Sequence, residues 1–237
     1  MPTDRRETAC ALIRDGSEAL LIDAGTGARR LATDEKLLGG VERLHVVLTH
    51  FHLDHIIGLF YVAAVDAEVE VWAAGEALEG TATATLIDRL LGAPFAPASF
   101  VDRFADAHEL GGEPTRIGRW QLRTRIQRLH ANPTLALRIE DAVVWCTDTA
   151  YDGANADFAR GARLLFHEAF YAADETDDPG HSAAGEAARL ATAAHVEQLV
   201  LIHVNPVLDD EAAPLRHAVP RFGATVVARD GLEVRCT

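Results

Sequence analysis

Short apolar runs punctuated by turn residues set the pattern of the first half of the chain. Residues 9–13 and 19–22 are apolar and flank Arg14-Asp15-Gly16-Ser17. The Asp-Gly pair there predicts a β-hairpin. The second run ends in Asp23-Ala24-Gly25-Thr26-Gly27, which lacks the third glycine of a dinucleotide-binding loop. Residues 44–48, with Leu44, Val46, Val47 and Leu48, read as a buried strand, 56–64 as a helix and 69–73 as a strand. Residues 76–91 read as a helix with Leu78, Ile87, Leu90 and Leu91 on one side, stopped by Gly92 and Pro94. From 95 to 118 the chain is dotted with proline and glycine and reads as loop with short strands, in which Phe95, Phe100 and Phe104 either pin the loop to the core or wall a cleft.

The second half repeats the alternation. Residues 120–126, 134–139 and 142–146 have strand length and character, with Glu140-Asp141 as a tight connection between the last two. A strand over 162–166, an alanine-rich helix over 183–194 and a strand over 199–202 follow. The tail predicts a helix over 211–222 and strands at 224–228 and 232–234. Trp72, Trp120 and Trp145 all fall in strand segments and read as core. Two sheets inside helical layers are the architecture this order favours.

Composition narrows the class without naming a chemistry. The 237 residues contain no linker-like stretch, so one domain over 1–237 is expected. The formal net charge of −14, from 36 acidic and 22 basic side chains, opposes a long nucleic acid partner, and Lys36 is the only lysine. Cys10, Cys146 and Cys236 are widely spaced and predict neither a disulfide framework nor a cysteine metal site. The opening Met-Pro-Thr-Asp-Arg-Arg-Glu lacks the apolar core of a signal peptide and no apolar run reaches membrane-spanning length, so a cytoplasmic location is expected.

Candidate chemistry concentrates in Leu48-Thr49-His50-Phe51-His52-Leu53-Asp54-His55-Ile56-Ile57-Gly58-Leu59, on the predicted turn between a strand and a helix. Period-two geometry puts His50 and His52 on one side of the strand tail, and Asp54 and His55 project from the helix entrance. Interleaved apolar residues imply burial, and buried side chains of this type each need a partner. The stretch resembles the H-x-H-x-D-H motif of the metallo-β-lactamase superfamily, whose members are mostly two-metal hydrolases. That resemblance extends over nearly the whole chain and implies an α/β, four-layer αββα sandwich. It further implies that His50, His52 and His130 hold one ion, that Asp54, His55 and His203 hold the other, and that Asp148 bridges them. Two divalent ions are implied, zinc first, with manganese or iron as alternatives, and Asp23 resembles the aspartate that supports the metal loop from behind, with a plain turn-forming aspartate as the alternative. Around His130 the sequence Leu-His-Ala-Asn-Pro departs from the His-Pro or His-Gly run of many relatives.

The elements Leu165-Phe166-His167-Glu168-Ala169-Phe170 and Gly180-His181-Ser182-Ala183-Ala184 are similar to the His-Glu-Ala-Thr and His-Ser-Thr elements of the ribonuclease Z branch. By that resemblance His181 is a general acid oriented by Glu168, and Asp54, His181 and Glu168 are the catalytic set acting with a metal-bound hydroxide. A competing reading makes Ser182 a helix cap, with Glu186 four residues on. Phosphodiester cleavage is the favoured activity. Acyl hydrolysis of the lactonase, thioesterase or β-lactamase type is the rival, with tRNA 3′ processing and a non-enzymatic scaffold as further alternatives. Bacterial ribonuclease Z proteins insert a basic, glycine-rich arm between the third histidine motif and the bridging aspartate. Here 17 residues, two predicted strands and a turn, separate His130 from Asp148. A small phosphodiester is therefore the expected substrate. Homodimers are common in that branch, and Gly58-Leu59-Phe60-Tyr61-Val62 is either a dimer surface or core. His45, His108, His195 and His217 receive no chemistry.

Overall fold

β1 (Ala11–Asp15) and β2 (Glu18–Ile22) form the expected antiparallel hairpin, closed through Gly16 at φ +64°. β3 (Arg43–Val47), β4 (Glu68–Ala73) and β5 (Ala107–Glu109) then add in parallel, giving a mixed five-stranded sheet in the order β1-β2-β3-β4-β5. This computed structural model describes residues 6–235, so Cys236 and the first five residues lie outside the described chain. Contacts divide the chain into two compact units. The first holds Glu7–Gly111 and Thr115–Arg119, including β6 (Thr115–Ile117), and the second holds Arg6, Gly112–Pro114 and the chain from Trp120 onward.

The first unit's core joins one face of its sheet to the helices. Ala19 and Leu21 of β2, Leu44 and Val46 of β3, and Val69 and Val71 of β4 pack with Leu31, Leu59, Ile87 and Leu91. The period-two spacing of these strand positions is what the sequence pattern required. The expected helix over 56–64 is instead two short ones, Leu53–Ile56 and Leu59–Val62. Gly58 separates them because its backbone N–H donates to Ala24 O at 2.7 Å, and a Cβ placed on it would sit 2.0 Å from Gly25 O. The expected helix over 76–91 is also divided, into Gly75–Glu79 and Thr83–Leu91, with Gly80 capping the first in the left-handed region. Leu59 and Val62 are fully buried, which places those two members of the proposed dimer stretch in the core, while Tyr61 is exposed. Of the loop phenylalanines, Phe104 is buried and Phe95 exposed. His108 lies in β5, not in a loop, stacked on Trp72 with ring centroids 4.1 Å apart.

In the second unit β7 (Trp120–Gln127), β8 (Thr134–Ile139) and β9 (Val143–Cys146) form an antiparallel meander. β10 (Leu164–Glu168), β11 (Gln198–Ile202) and β12 (Thr225–Val227) extend it in parallel, in the order β12-β11-β10-β9-β8-β7. The alanine-rich helix Ala184–Ala194 shares one apolar core with Ala136, Val144, Cys146, Leu165 and Leu201. Its small side chains let helix and sheet approach closely. The tail helix is shorter than expected, Ala213–Ala218, and residues 232–235 carry no strand. No helix among the described residues is long and apolar enough to cross a membrane.

Candidate active site

In the first unit the histidine stretch leaves the end of β3 and enters the helix Leu53–Ile56, so His50 and His52 precede the helix and Asp54 and His55 lie in its first turn. Asp23, just past β2, organises this loop. It is fully buried at φ +55°, a region aspartate tolerates better than most residues. Its carboxylate accepts from Thr49 N at 2.8 Å, from Thr49 Oγ1 at 3.0 Å and from Nδ1 of His55 at 2.8 Å. Because the Thr49 hydroxyl donates to Asp23, its oxygen accepts from Nδ1 of His50 at 3.0 Å. Both histidines therefore carry the proton on Nδ1 and the lone pair on Nε2. The rings of His50 and His52 are 4.6 Å apart and those of His50 and His55 are 4.3 Å apart, with Asp54 Oδ2 3.6 Å from His55 Nε2.

The second unit gathers its own group at strand ends. Asp148 follows β9 and His203 follows β11, both at positive φ, +49° and +46°. Such backbone clusters where surrounding structure over-determines it. Asp148 Oδ1 lies 3.7 Å from His130 Nε2 and 3.4 Å from His203 Nε2, while Thr147 Oγ1 donates to its other oxygen at 2.6 Å. Ligand-type atoms of Asp148, His181 and His203 all lie within 4.8 Å of one another. His130 donates from Nδ1 to Gly180 O at 2.9 Å, which again leaves the lone pair on Nε2. Neutral imidazoles with oriented Nε2 lone pairs, together with carboxylates, are the donor set of a divalent metal site, and the His/Asp groups are compatible with one.

Glu168 ends β10 and is fully buried, and its Oε2 accepts from Nδ1 of His181 at 2.9 Å. Its other oxygen accepts from Thr149 N. Burial pushes the Glu168 carboxyl above its ordinary range. Burial works against a charged His181, but the hydrogen bond and charge of Glu168 outweigh it and raise the imidazole. Both shifts favour the protonated form of their group. Phe170 stacks on His181 at 4.6 Å. Ser182 is not the helix cap: its hydroxyl donates to Thr149 O at 2.7 Å, and the helix begins after Ala183, whose N–H donates to Glu186.

Other parts of this machinery were not read from the sequence. Asp178 accepts from the backbone of Gly180 and His181 and from Tyr171 Oη, which fixes the loop that carries His181. The turn-forming Asp178-Pro179-Gly180 was the available signal. Behind Asp148, Gln127 donates to Thr134 Oγ1 at 2.8 Å, Thr134 donates to Asp148 O at 3.2 Å, and Asn155 donates to Gln127 at 2.8 Å. Gln127, Thr134 and Asn155 are buried, and nothing in their spacing marks them. Of the histidines given no chemistry, His45 lies inside β3 and is buried, with Nδ1 2.8 Å from Glu70. His195 caps the helix Ala184–Ala194 at its C-terminus, and His217 meets Asp174 at 3.1 Å.

The family model for the beta-lactamase superfamily domain matches residues 18–204. A ribonuclease Z of Prochlorococcus marinus (strain NATL1A) is 37% identical over 101 residues, 39% of this chain and 32% of that protein. The match thus spans about a third of that relative's length. A ribonuclease Z of Natronomonas pharaonis is 27% identical over 289 aligned residues, covering 98% of this chain and 92% of that protein. The crystal structure of the metallo-beta-lactamase fold protein YhfI from Bacillus subtilis superposes with a TM-score of 0.76 at 22% identity, over 98% of this chain and 92% of that one. These likenesses bear out the expected α/β fold and the ribonuclease Z-like character of the sequence. With four-fifths of its length inside one family model, the chain belongs to the beta-lactamase superfamily, in its metallo-β-lactamase fold.

Proposed function

We propose that this protein is a binuclear metal-dependent hydrolase that cleaves small phosphodiesters, with both units acting as halves of one hydrolase domain. The observation that carries this reading is the Glu168–His181 pair, 2.9 Å apart, with His181 in the group formed with Asp148 and His203. Phosphodiester cleavage expels an alkoxide that needs a proton, and His181 is a donor that the ligand set does not require. In this reading His50, His52 and His130 would hold one ion and Asp54, His55 and His203 the other, with Asp148 as a further ligand. Bound there, divalent ions, zinc first, would lower the pKa of a water and offset charge on the phosphoryl oxygens. Asp54 orients the attacking water, His181 gives its proton to the leaving oxygen as the P–O bond breaks, and Glu168 stabilises the imidazolium beforehand.

A small substrate is favoured over tRNA by the stretch between His130 and Asp148, which β8, β9 and their turn fill. The aligned Natronomonas ribonuclease Z extends over 289 positions against 237 residues here, so it carries segments with no counterpart in this chain. The test of the acid is His181→Ala assayed across leaving groups. We expect large losses with alkyl esters and small ones with nitrophenyl esters, at unchanged metal content. Equal losses across the series would remove His181 from the proton transfer.

A further inference from the structure

The second unit holds a cavity of about 470 Å³ bordered by Arg123, Arg138, Arg160, Asp141, Asp157 and Phe158. Arg123 of β7 stands directly opposite Arg138 of β8 in the antiparallel register. Like charges directly opposite one another repel, and an anion placed between them relieves the repulsion. Among the described residues one carboxylate oxygen serves both: Asp141 Oδ1 is 2.7 Å from Arg123 and 3.3 Å from Arg138. Arg160 pairs with Asp157 one helical turn away. The Asp141 and Asp157 side chains are 86% and 78% exposed, so their ion pairs are screened and held weakly.

Arg138 is the fixed member. Its side chain is more than nine-tenths buried, and Nη1 donates to Phe158 O at 2.9 Å and Arg160 O at 3.0 Å. Its Nε has no hydrogen-bond partner among the described residues. Three guanidinium groups against two carboxylates make this cavity net positive in a chain of net charge −14. Guanidinium forks match oxyanions, and a tetrahedral dianion offers several oxygens where Asp141 offers one to two arginines. The cavity has the size of a small-ligand site and exceeds what a bare phosphate ion needs. Arg138 lies opposite Val144, four residues before Asp148, which is about 13 Å along the strand direction. A ligand here therefore does not enter the reaction centre.

We propose that this cavity binds a small phosphate-bearing anion, with the phosphate on Arg123, Arg138 and Arg160 and the organic part against Phe158. The two sources of this chemistry are inorganic phosphate and an organic phosphate monoester, for which adenosine monophosphate serves as probe. The experiment is isothermal titration of metal-loaded protein with each probe, in the natural sequence, in R123Q/R160Q and in Phe158→Ala. Arg123 and Arg160 are about half exposed, so the double variant keeps the fold, which an unaltered thermal melt without ligand verifies. Beside binding at the metal-loaded centre, which both proteins should show, the natural protein should show a second binding event that R123Q/R160Q weakens at least tenfold or abolishes. Weakening of the nucleotide alone in Phe158→Ala identifies a monoester as the ligand, and no change there identifies inorganic phosphate. Equal stoichiometry and affinity in the natural protein and R123Q/R160Q would overturn the proposal.

Discussion

Asp23 is where a single substitution separates the folding role of the metal loop from its ligand role. In Asp23→Ala three buried donors lose their acceptor: Thr49 N, Thr49 Oγ1 and Nδ1 of His55. Each stranded donor costs about 1–3 kcal/mol, and alanine at φ +55° adds about 1 kcal/mol. Allowing for partial relaxation, the loss is roughly 3–6 kcal/mol, a large share of the about 5–15 kcal/mol that stabilises a domain. At about 2–4 °C per kcal/mol for a chain of this size, the melting temperature of metal-free protein should fall by roughly 10–20 °C. Asp23→Asn keeps the shape and the tolerance of positive φ, but can turn its amide N–H₂ toward His55. His55 then accepts at Nδ1 and carries its proton on Nε2, where the lone pair belongs. That variant should lose only about 1–2 kcal/mol of stability by one weakened hydrogen bond, yet lose roughly 10–100-fold in zinc affinity. Calorimetry of chelated protein and competition titration with a chromophoric chelator read the two effects separately. Asp23→Ala melting within about 2 °C of the natural protein, a shift worth no more than about 1 kcal/mol, would refute the anchor role. Asp23→Asn with unaltered zinc affinity would refute the tautomer argument.

Asp148→Ala should lower both metal content and turnover, read by elemental analysis, because the side chain lies close to both His130 and His203. Thr134→Val keeps the volume but removes one of the two acceptors of Gln127 Nε2, leaving Thr147 O, and the Thr134 hydroxyl that donates to Asp148 O, and should cost about 1–3 kcal/mol by urea unfolding. His167 is fully buried in β10, and desolvation lowers its pKa from 6.5 to about 4. The unfolded chain then binds the proton first, so stability is fully present above about pH 6.5 and declines as pH falls toward 4. The loss should total about 3 kcal/mol over that window, at about 1.4 kcal/mol per pH unit, and His167→Gln should flatten it.

The strands were legible because period-two patterning and turn chemistry agree in this chain. β8 falls where 134–139 was expected, and the Asp15-Gly16 turn closes the first hairpin. The histidine stretch was legible because its ligands are local. What escaped depends on contacts distant in sequence. Gly58 interrupts a helical run because its backbone docks on Ala24 and Gly25, more than thirty positions earlier. Ser182 precedes a helix as a cap would, yet its hydroxyl is drawn to Thr149 O. Gln127, Thr134 and Asn155 look like ordinary polar strand and helix residues until β7, β8 and the helix Ala154–Ala159 bring them together behind Asp148. Arg123 and Arg138 are separated by 14 intervening residues, and only the register of β7 on β8 makes them neighbours.

The central claim is phosphodiester hydrolysis of a compact substrate. Its most direct measurement is kcat/KM of zinc-loaded protein, with metal content determined, on bis(p-nitrophenyl) phosphate, cyclic nucleotides, a precursor tRNA and a lactone at matched enzyme and moderate salt. The account predicts turnover of the small phosphodiesters and little or no removal of the tRNA 3′ trailer. Efficient, site-specific trailer removal, or lactone turnover with every phosphodiester inert, would contradict it.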